Sequence, residues 1–301
     1  MTVREQTSND ESLWLRLLGS ETRYYDAGGV RTRSIEAGTG ESLILLHGIG
    51  GHAETYARNV MPLAARYRVH AIDSLGHGLT GSIDGPITHV EYVKHLIDFM
   101  DAAGIARAHI GGESLGGWTA IWAALLHPER FITVINIVGA KFKVDVDAES
   151  ARRTMAGRNE LQRLSQQLRM NPTRDNVRAR MAWLFHNPDR DLTDELVDLR
   201  WKLYQQEAAI KAPVGTRIAG PVPSDLDEGM LGPDLLEKLT HRTLVLWTDH
   251  NPSQVAAVAE KAVTYMPNAE YRIMKDCGHW PQWEDVSTFN EIVTSFLSRK
   301  P

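Results

Sequence analysis

Short apolar runs alternate with longer, helix-forming stretches along most of the chain. Leu43–Leu46 and Phe131–Val138 are continuous runs of apolar residues, which is typical of strands that are covered on both faces. The stretches Val90–Ala103 and Trp118–His127 have the length and residue types of helices. Strands that alternate with helices of about a dozen residues indicate βαβ units and a mostly parallel sheet.

The same patterns predict the other elements of an α/β core. A hairpin turn is expected at Ala27-Gly28-Gly29, and Thr88 with Glu91 forms a capping box at the start of a helix. The remaining predicted strands are Thr22–Asp26, Arg31–Glu36, Tyr67–Ile72, Thr243–Trp247 and Glu270–Met274, and the remaining predicted helices are Tyr56–Arg66, Ser253–Met266 and Glu284–Ser298.

Residues 141–239 depart from this pattern. They contain no convincing strand, and prolines punctuate them throughout. Helical segments are expected at Ser150–Met170, Thr173–Phe185 and Thr193–Ala208. We therefore predict a helical lid at residues 141–239, inserted into a core domain that is formed by residues 1–140 and 240–301.

The composition changes this picture only by exclusion. With 38 acidic and 33 basic residues, the net charge of −5 provides no basic surface for nucleic acid. The apolar runs are too short to span a bilayer, the opening residues lack the pattern of a secretory signal, and a single cysteine makes no disulfide framework. We expect a cytoplasmic protein with a small-molecule substrate and no nucleic-acid or membrane partner. Leu13–Leu18 is predicted to be a short helix that packs on the body or on another subunit, so a homo-oligomer remains open.

The most informative motif is the pentapeptide Gly112-Glu113-Ser114-Leu115-Gly116. It joins an apolar run to a helix-forming stretch, which is the strand, sharp turn and helix of a nucleophile elbow. Gly112 and Gly116 fit this turn because they lack the Cβ atom that would collide with the backbone. The motif predicts that Ser114 is a nucleophile with an accessible Oγ.

A serine hydroxyl needs an adjacent base and a site that stabilises the oxyanion. His279 follows the last predicted strand, in a loop whose path is fixed by Gly278 and Pro281, and we predict that it is the base. The backbone N–H groups of Leu115 and of Ile49, in the glycine-rich loop after the strand at residues 43–46, are the expected oxyanion donors. The chain order of nucleophile, acid and histidine resembles that of the α/β-hydrolase superfamily.

The acid of this triad has two candidates. In the α/β-hydrolase fold it follows the strand at residues 243–247, where the usual W-G-x-x-D pattern places Asn251 instead of an aspartate. Either Asp249, two residues earlier, takes the role, or Asn251 orients His279 without contributing a charge. We favour Asp249.

Three segments resemble a narrower family, the meta-cleavage product hydrolases, which hydrolyse carbon–carbon bonds. Residues 277–284 resemble its C-G-H-W-x-Q-x-E motif around the catalytic histidine. Residues 172–176 and 192–201 resemble its P-T-x-x-N and T-x-E-L-V-x-x-R lid segments, and residues 47–59 resemble its oxyanion loop. This resemblance implies an α/β-hydrolase fold, with a mostly parallel central sheet that is flanked by helices and carries an inserted helical lid.

The resemblance also implies roles for individual side chains. Arg200 would bind the carboxylate of a 2-hydroxy-6-oxo-dienoate, Trp280 would line the site, and Cys277 would lie nearby; Gly48 and Gly50 of the oxyanion loop complete the expected substrate site. Glu113 replaces the asparagine that usually precedes the nucleophile. A carboxylate there would repel an anionic substrate, so either it points away from the pocket or the substrate differs.

The resulting hypothesis is a serine-type hydrolase that cleaves a C–C bond in a product of aromatic ring cleavage, without a cofactor or a catalytic metal. A carboxylesterase or lactonase with the same triad is the first alternative, and it predicts a pocket without a buried cation. A non-catalytic ligand-binding protein of this fold is the second, because Asn251 stands at the acid position.

Overall fold

The computed structural model describes residues 11–139, 141–209 and 229–299, and its centre is a twisted, eight-stranded sheet. The strands are β1 (Glu21–Ala27), β2 (Val30–Ala37), β3 (Ser42–Leu46), β4 (Arg68–Ile72), β5 (Ala108–Glu113), β6 (Phe131–Ile137), β7 (Arg242–Thr248) and β8 (Ala269–Met274). The seven strands for which the sequence predicts a range, all except β5, lie within two residues of it. Apolar runs mark the buried strands such as β3 and β6, whereas β1 is mostly exposed and is predicted from the hairpin turn that follows it.

The strand order is β1-β2-β4-β3-β5-β6-β7-β8. The hairpin β1–β2 is antiparallel, and β2 also pairs antiparallel with β4. From β4 to β8 all neighbours are parallel. The carboxyl ends of β3, β5, β6 and β7 therefore meet at one edge of the sheet, which is where functional groups gather in open α/β sheets.

Twelve α-helices are described. They are α1 (Leu13–Arg16), α2 (Val60–Ala64), α3 (His89–Ala102), α4 (Leu115–Leu126), α5 (Ala148–Met170), α6 (Arg174–Ala182), α7 (Pro188–Asp191), α8 (Asp194–Ala209), α9 (Pro233–Leu236), α10 (Ala256–Val263), α11 (Pro281–Glu284) and α12 (Val286–Ser298). The capping box predicted before α3 is present, with Thr88 and Glu91 satisfying each other's backbone N–H groups. The helix predicted from Tyr56 is shorter, because a 3₁₀ turn at Ala53–Tyr56 precedes α2.

Between β6 and β7 the described residues form the helices α5 to α9, joined by loops, as the sequence predicts. Residue 140 and residues 210–228, the latter part of the expected lid, lie outside the described residues. A parallel bridge joins Phe142 to Leu231 at the base of this segment. Its helices share a hydrophobic cluster that also includes Leu13, Trp280 and Trp283. The description of residues 141–239 as a lid, separate from the core, remains a prediction.

The short helix α1 packs on the body of the molecule. Leu13 is buried in the same cluster as the helices between β6 and β7, and its backbone N–H donates a hydrogen bond of 2.9 Å to Glu195 Oε2. Trp14, Leu15 and Leu18 are exposed beside it. None of the described helices combines the length and the apolar composition that a bilayer crossing needs.

Candidate active site

The turn between β5 and α4 has the geometry of a nucleophile elbow. Ser114 has φ of 53° and ψ of −109°, a strained conformation for a residue with a side chain. A Cβ atom on Gly112 would lie 2.2 Å from the backbone of Gly116, and one on Gly116 would lie 2.2 Å from the carbonyl oxygen of Leu46. Both glycines are therefore needed for steric reasons, as the sequence predicts. Ser114 faces a cleft and makes no side-chain hydrogen bond to any described residue.

His279 reaches the same cleft from the loop between β8 and α11. Its backbone N–H donates to the carbonyl oxygen of Leu184 at 2.6 Å, which ties the loop to the helical segment after β6. The carboxylate of Glu284 accepts hydrogen bonds from the backbone N–H groups of Gly278, Trp280 and His186. Burial raises the pKa of Glu284, although these donors oppose the shift. These hydrogen bonds fix the loop that carries the His279 ring.

The residue that meets the Nδ1 atom of His279 is Asn251. Its Oδ1 atom lies 2.8 Å from Nδ1 and also accepts a hydrogen bond of 3.2 Å from the backbone N–H of Ser253. Because the backbone N–H of Ser253 can only donate, the Asn251 atom that faces both groups is the amide oxygen, and Nδ1 of the ring carries the proton that it donates. The Oγ atom of Ser253 lies 3.3 Å from the same ring nitrogen.

The preference for Asp249 is wrong in this geometry. Its carboxylate lies near Lys275 Nζ at 3.8 Å and His250 Nε2 at 4.0 Å, on the outer side of the β7 end, and does not contact His279. The strand ends at Thr248, and the chain needs the three residues after it to turn back toward the ring. The side chain that arrives there is that of Asn251.

Glu113 does not point away from the cleft. Its Oε1 atom lies 3.1 Å from His279 Nε2, and its Oε2 atom accepts a hydrogen bond of 2.7 Å from the backbone N–H of Gly48. The side chain is 2 % exposed. The two ring nitrogens of His279 therefore face different partners, a neutral amide at Nδ1 and a carboxylate at Nε2.

The loop after β3 carries the expected oxyanion donor Ile49. The Nε2 atom of His47 accepts a hydrogen bond of 3.0 Å from the backbone N–H of Ser74, and its Nδ1 atom lies 2.7 Å from the carbonyl oxygen of Gly48. His47 therefore holds the loop in place and is not a base. Burial, with a further contribution from the nearby His77 ring, lowers the pKa of His47 well below its usual value. Leu115, the other expected donor, is the first residue of α4.

A buried ionic group lies under this loop. The guanidinium of Arg33 forms two hydrogen bonds to each carboxylate of Glu54 and Asp73, at 2.7 to 3.0 Å. The carboxylate of Asp73 also accepts from the backbone N–H groups of Ala53 and Leu79, both at 2.7 Å. Burial alone would raise the pKa of Glu54, but Arg33 and a hydrogen bond with His52 lower it overall. We refer to Arg33, Glu54 and Asp73 as the Arg33 group.

Two arginines from the helical segment line the cleft. Arg200 on α8 is 1 % exposed, and its guanidinium carbon lies 4.9 Å from the centre of the Trp280 ring. Arg180 on α6 is also 1 % exposed, and its Nη2 atom donates a hydrogen bond of 3.2 Å to the carbonyl oxygen of Ile49. The Nη1 atom of Arg180 has no hydrogen-bond partner among the described residues. Two guanidinium groups therefore line the cleft beside the single carboxylate of Glu113, so the repulsion expected from Glu113 is offset and the cleft is suited to an anionic ligand.

The other residues assigned by resemblance take different positions. Trp280 is buried, lines the cleft and packs against the ring of Phe185 at 5.3 Å. Gly48 lines the cleft, whereas the carbonyl oxygen of Gly50 accepts a hydrogen bond from the Tyr204 hydroxyl at 2.8 Å. Cys277 is buried in the main core, where burial raises the pKa of its thiol, so it is not a nucleophile.

The sequence reasoning missed Arg180, Tyr204 and Ser253. A signal for Arg180 is present, because Val177, Arg180, Met181 and Leu184 follow a spacing of three and four residues that places an arginine on the apolar face of α6. Tyr204 and Ser253 have no comparable signal, since their roles depend on contacts between distant parts of the chain.

One group of side chains in the described residues could approach a metal ion. The ligand atoms of His186, His250 and Asp276 lie within 4.8 Å of one another, all three residues are exposed, and they lie outside the cleft. The two imidazole rings stack at 3.8 Å with an angle of 20° between their planes. Lone pairs in two stacked planes do not converge on one ion, so this group has poor geometry for a metal centre.

The fold and this cleft define a class of protein. The chain belongs to the α/β-hydrolase family: the family described as alpha/beta hydrolase fold matches residues 41–286. Within that family its relatives are hydrolases of meta-cleavage products. The 2-hydroxy-6-oxo-6-(2'-aminophenyl)hexa-2,4-dienoic acid hydrolase of Metapseudomonas resinovorans is 30% identical over 286 residues, covering 92% of this chain and 91% of the relative. The 2-hydroxy-6-oxononadienedioate/2-hydroxy-6-oxononatrienedioate hydrolase of Paraburkholderia xenovorans is 33% identical over 284 residues, covering 90% and 92%.

Solved structures agree with this grouping. The serine hydrolase CarC, involved in carbazole degradation, superimposes with a TM-score of 0.76 at 27% identity, covering 93% of this chain and 99% of that chain. A variant of the meta-cleavage product hydrolase CumD superimposes with a TM-score of 0.73 at 25% identity, covering 91% and 97%. The predicted fold class and family are therefore confirmed, and the chain is an enzyme of the hydrolase class.

Proposed function

We propose that this protein is a serine-type hydrolase, working without a cofactor, that cleaves the C–C bond of a 2-hydroxy-6-oxo-dienoate formed by aromatic ring cleavage. The observation that carries the proposal is the buried guanidinium of Arg200 in the same cleft as Ser114 and His279. A desolvated guanidinium binds a carboxylate through two parallel hydrogen bonds and keeps its charge. The relatives that act on such dienoates span nine-tenths of this chain.

The cleft supports a sequence of steps on this substrate. The carboxylate binds Arg200, and the 6-oxo group lies toward the N–H groups of Ile49 and Leu115. The dienol first ketonises, as its 2-hydroxyl proton is lost and carbon 5 gains a proton. Either Ser114 Oγ or a water molecule that it activates then adds to carbon 6, and His279 takes up the proton that the nucleophile releases. The bond between carbons 5 and 6 breaks, its electron pair is delocalised onto the 2-oxo group, and His279 returns the proton. Where Ser114 Oγ is the nucleophile, a water molecule then hydrolyses the acyl ester that remains on it.

The carboxylesterase or lactonase alternative predicts a pocket without a buried cation. The cleft contains two buried arginines, which counts against a neutral ester as the principal substrate. The alternative of a non-catalytic binding protein rests on Asn251 at the acid position. The elbow and the contact between Asn251 and His279 favour an enzyme over that alternative.

Turnover of a dienoate tests the proposal directly. Purified protein is mixed with 2-hydroxy-6-oxo-dienoates that differ in the group on carbon 6, and loss of the yellow dienoate absorbance is followed beside hydrolysis of p-nitrophenyl esters. We expect turnover of at least one dienoate. Rapid ester hydrolysis without turnover of any dienoate would establish the esterase alternative instead.

Replacement of Arg200 separates carboxylate binding from the rest of the site. Arg200→Met should raise KM for the dienoate by about 10- to 100-fold, equivalent to about 1.5–3 kcal/mol for a charge-assisted hydrogen bond, and should change ester hydrolysis far less. The matched control is Arg152→Met, because Arg152 is an exposed arginine on α5 that pairs with Glu149. An equal loss on dienoate and ester would contradict the role of Arg200.

Location, cofactor requirement and oligomeric state are predicted from the sequence alone. We expect that the protein acts in the cytoplasm and needs no cofactor, and that a homo-oligomer is compatible with its surface. The side chains of Trp14, Leu15 and Leu18, on and beside α1, form an exposed apolar surface to which a second copy could bind. Light scattering measures the oligomeric state.

A further inference from the structure

The carboxylate that contacts His279 lies at Nε2 of the ring, whereas the acid of a Ser-His-Asp triad lies at Nδ1. Asn251 stands at the acid position, and its neutral amide oxygen accepts a hydrogen bond from Nδ1–H of His279. The carboxylate that touches the ring is that of Glu113, at 3.1 Å from Nε2. Ser114, Glu113 and His279 all line the same cleft, so this carboxylate is beside the nucleophile and not behind the ring.

We propose that Glu113 is a catalytic residue, and that it supplies the negative charge that a triad aspartate would otherwise supply from the position of Asn251. The proposal concerns the charge balance of the centre and rests on the assignment of Ser114 and His279 made above. It does not depend on which substrate the cleft accepts.

The position of the Glu113 carboxylate is fixed independently of His279. Its second oxygen accepts a hydrogen bond of 2.7 Å from the backbone N–H of Gly48, and a Cβ atom on Gly48 would lie 2.4 Å from that oxygen. The glycine therefore leaves the space that the carboxylate fills. Glu113 is also the last residue of β5, so its backbone is held by the sheet. A carboxylate that is held on two sides needs no rearrangement when positive charge develops on the ring.

In this reaction Glu113 acts on the proton transfer between Ser114 and His279. Ser114 Oγ bonds to the carbonyl carbon of the substrate, and the π electron pair of the carbonyl moves to its oxygen. In the reacting form, His279 carries a proton on Nδ1 and none on Nε2. The Oγ–H bond breaks, and its proton passes to Nε2, so that the ring becomes an imidazolium. The Glu113 carboxylate at 3.1 Å offsets this positive charge, while Asn251 holds the ring through Nδ1. The electron pair on the oxyanion then re-forms the carbonyl, the bond between the carbonyl carbon and the leaving group breaks, and the leaving group takes the proton from Nε2.

A double-mutant cycle that moves the negative charge from position 113 to position 251 tests this proposal. The proteins compared are the wild type, Glu113→Gln, Asn251→Asp and the double variant. Glutamine has the shape of glutamate. Its amide oxygen accepts the Gly48 hydrogen bond, so its NH2 group faces Nε2 of His279, and Glu113→Gln replaces the negative charge there by a neutral donor. The readout is the rate at which a fluorophosphonate labels Ser114, followed by intact mass, because this reaction needs the nucleophile and base but no dienoate.

We expect Glu113→Gln to lower the labelling rate by about 100-fold or more, as for other losses of preorganised charge stabilisation. Asn251→Asp should raise the rate at least tenfold more in the Glu113→Gln background than in the wild type, because there it restores the only missing charge. Unchanged labelling by Glu113→Gln, or a loss that Asn251→Asp does not recover, would overturn the proposal, since a purely structural glutamate gives no such recovery.

Controls keep the outcome interpretable. Melting temperatures are measured for all proteins, and Glu129→Gln, at an exposed glutamate, should label at the wild-type rate. If Glu113→Gln does not fold, Glu113→Asp replaces it in the cycle. Because aspartate is one methylene group shorter than glutamate, that variant moves the carboxylate away from the His279 ring. The same recovery by Asn251→Asp is expected. If Glu113→Gln slows labelling as expected but the wild type turns over no dienoate, only the proposed substrate is refuted. If the wild type turns over a dienoate and Glu113→Gln does not change that rate, only the role of Glu113 is refuted.

Discussion

Two buried groups of charged side chains lie close together at the carboxyl edge of the sheet, and they differ in how completely they are paired. In the Arg33 group, four hydrogen bonds join one guanidinium to two carboxylates, and further backbone donors occupy Asp73. In the cleft, Arg180 Nη1 and Ser114 Oγ have no partner among the described residues. Complete pairing holds a loop in place, whereas donors without partners are available to a ligand.

The largest expected effect lies in the cleft. Ser114→Ala should lower kcat/KM for the dienoate by about 10⁴-fold or more and leave the free energy of unfolding nearly unchanged, because the side chain makes no hydrogen bond that the fold needs. Steady-state kinetics and urea denaturation measure the two quantities. Ser295→Ala, at an exposed serine of α12, is the control. A protein that never had turnover and kept full ligand affinity after the replacement would be a binder and not an enzyme.

The second effect should fall on stability. Asp73→Asn removes one charge of the Arg33 group and leaves the guanidinium incompletely paired, so the free energy of unfolding should drop by about 3–5 kcal/mol. Urea denaturation monitored by circular dichroism measures this. Glu160→Gln breaks an exposed ion pair on α5 and should not move the midpoint measurably. If the two variants had equal stability, the Arg33 group would not have the structural role assigned to it.

The smallest expected effect is the contribution of the buried His95 to the pH dependence of stability. Burial lowers the pKa of His95 to about 4, with Asp98 opposing and Lys94 and His77 adding to the shift. The unfolded chain therefore binds a proton at higher pH than the folded protein, so the stability due to His95 is present above pH 6.5 and is lost as the pH falls toward 4.

His95→Gln can retain a hydrogen bond to Thr32 Oγ1, which lies 2.8 Å from His95 Nε2. We expect that the decrease in unfolding free energy between pH 7 and pH 5 is about 2 kcal/mol smaller in this variant than in the wild type. Urea titrations at the two pH values measure the difference. An identical pH dependence in both proteins would show that His95 is not titrated by unfolding.

Much of the fold was predictable because it depends on short-range patterns. The run Leu43–Leu46, the capping box of α3 and the glycines of the elbow each encode their geometry within a few residues. The elbow that carries Ser114 followed from the same local signal, and the position of His279 followed from its place after the last strand.

The partners of the histidine were not predictable in this way. Whether Asp249 or Asn251 meets the ring depends on how the chain turns after β7, and one residue more or less reverses the direction of a side chain. The contact between Glu113 and His279 joins residues separated by more than half of the chain. Sequence reasoning placed Glu113 beside the nucleophile but could not give the direction of its carboxylate.

The strained backbone of Ser114 has a consequence for how this protein can change over evolutionary time. A positive φ costs a residue with a side chain about 1–3 kcal/mol, and glycine would adopt it with little strain. Selection for stability alone would therefore favour glycine at this position, and selection for chemistry alone maintains serine. A lineage that no longer needed the Ser114 side chain would be expected to acquire glycine here, and its fold would become more stable as it did so.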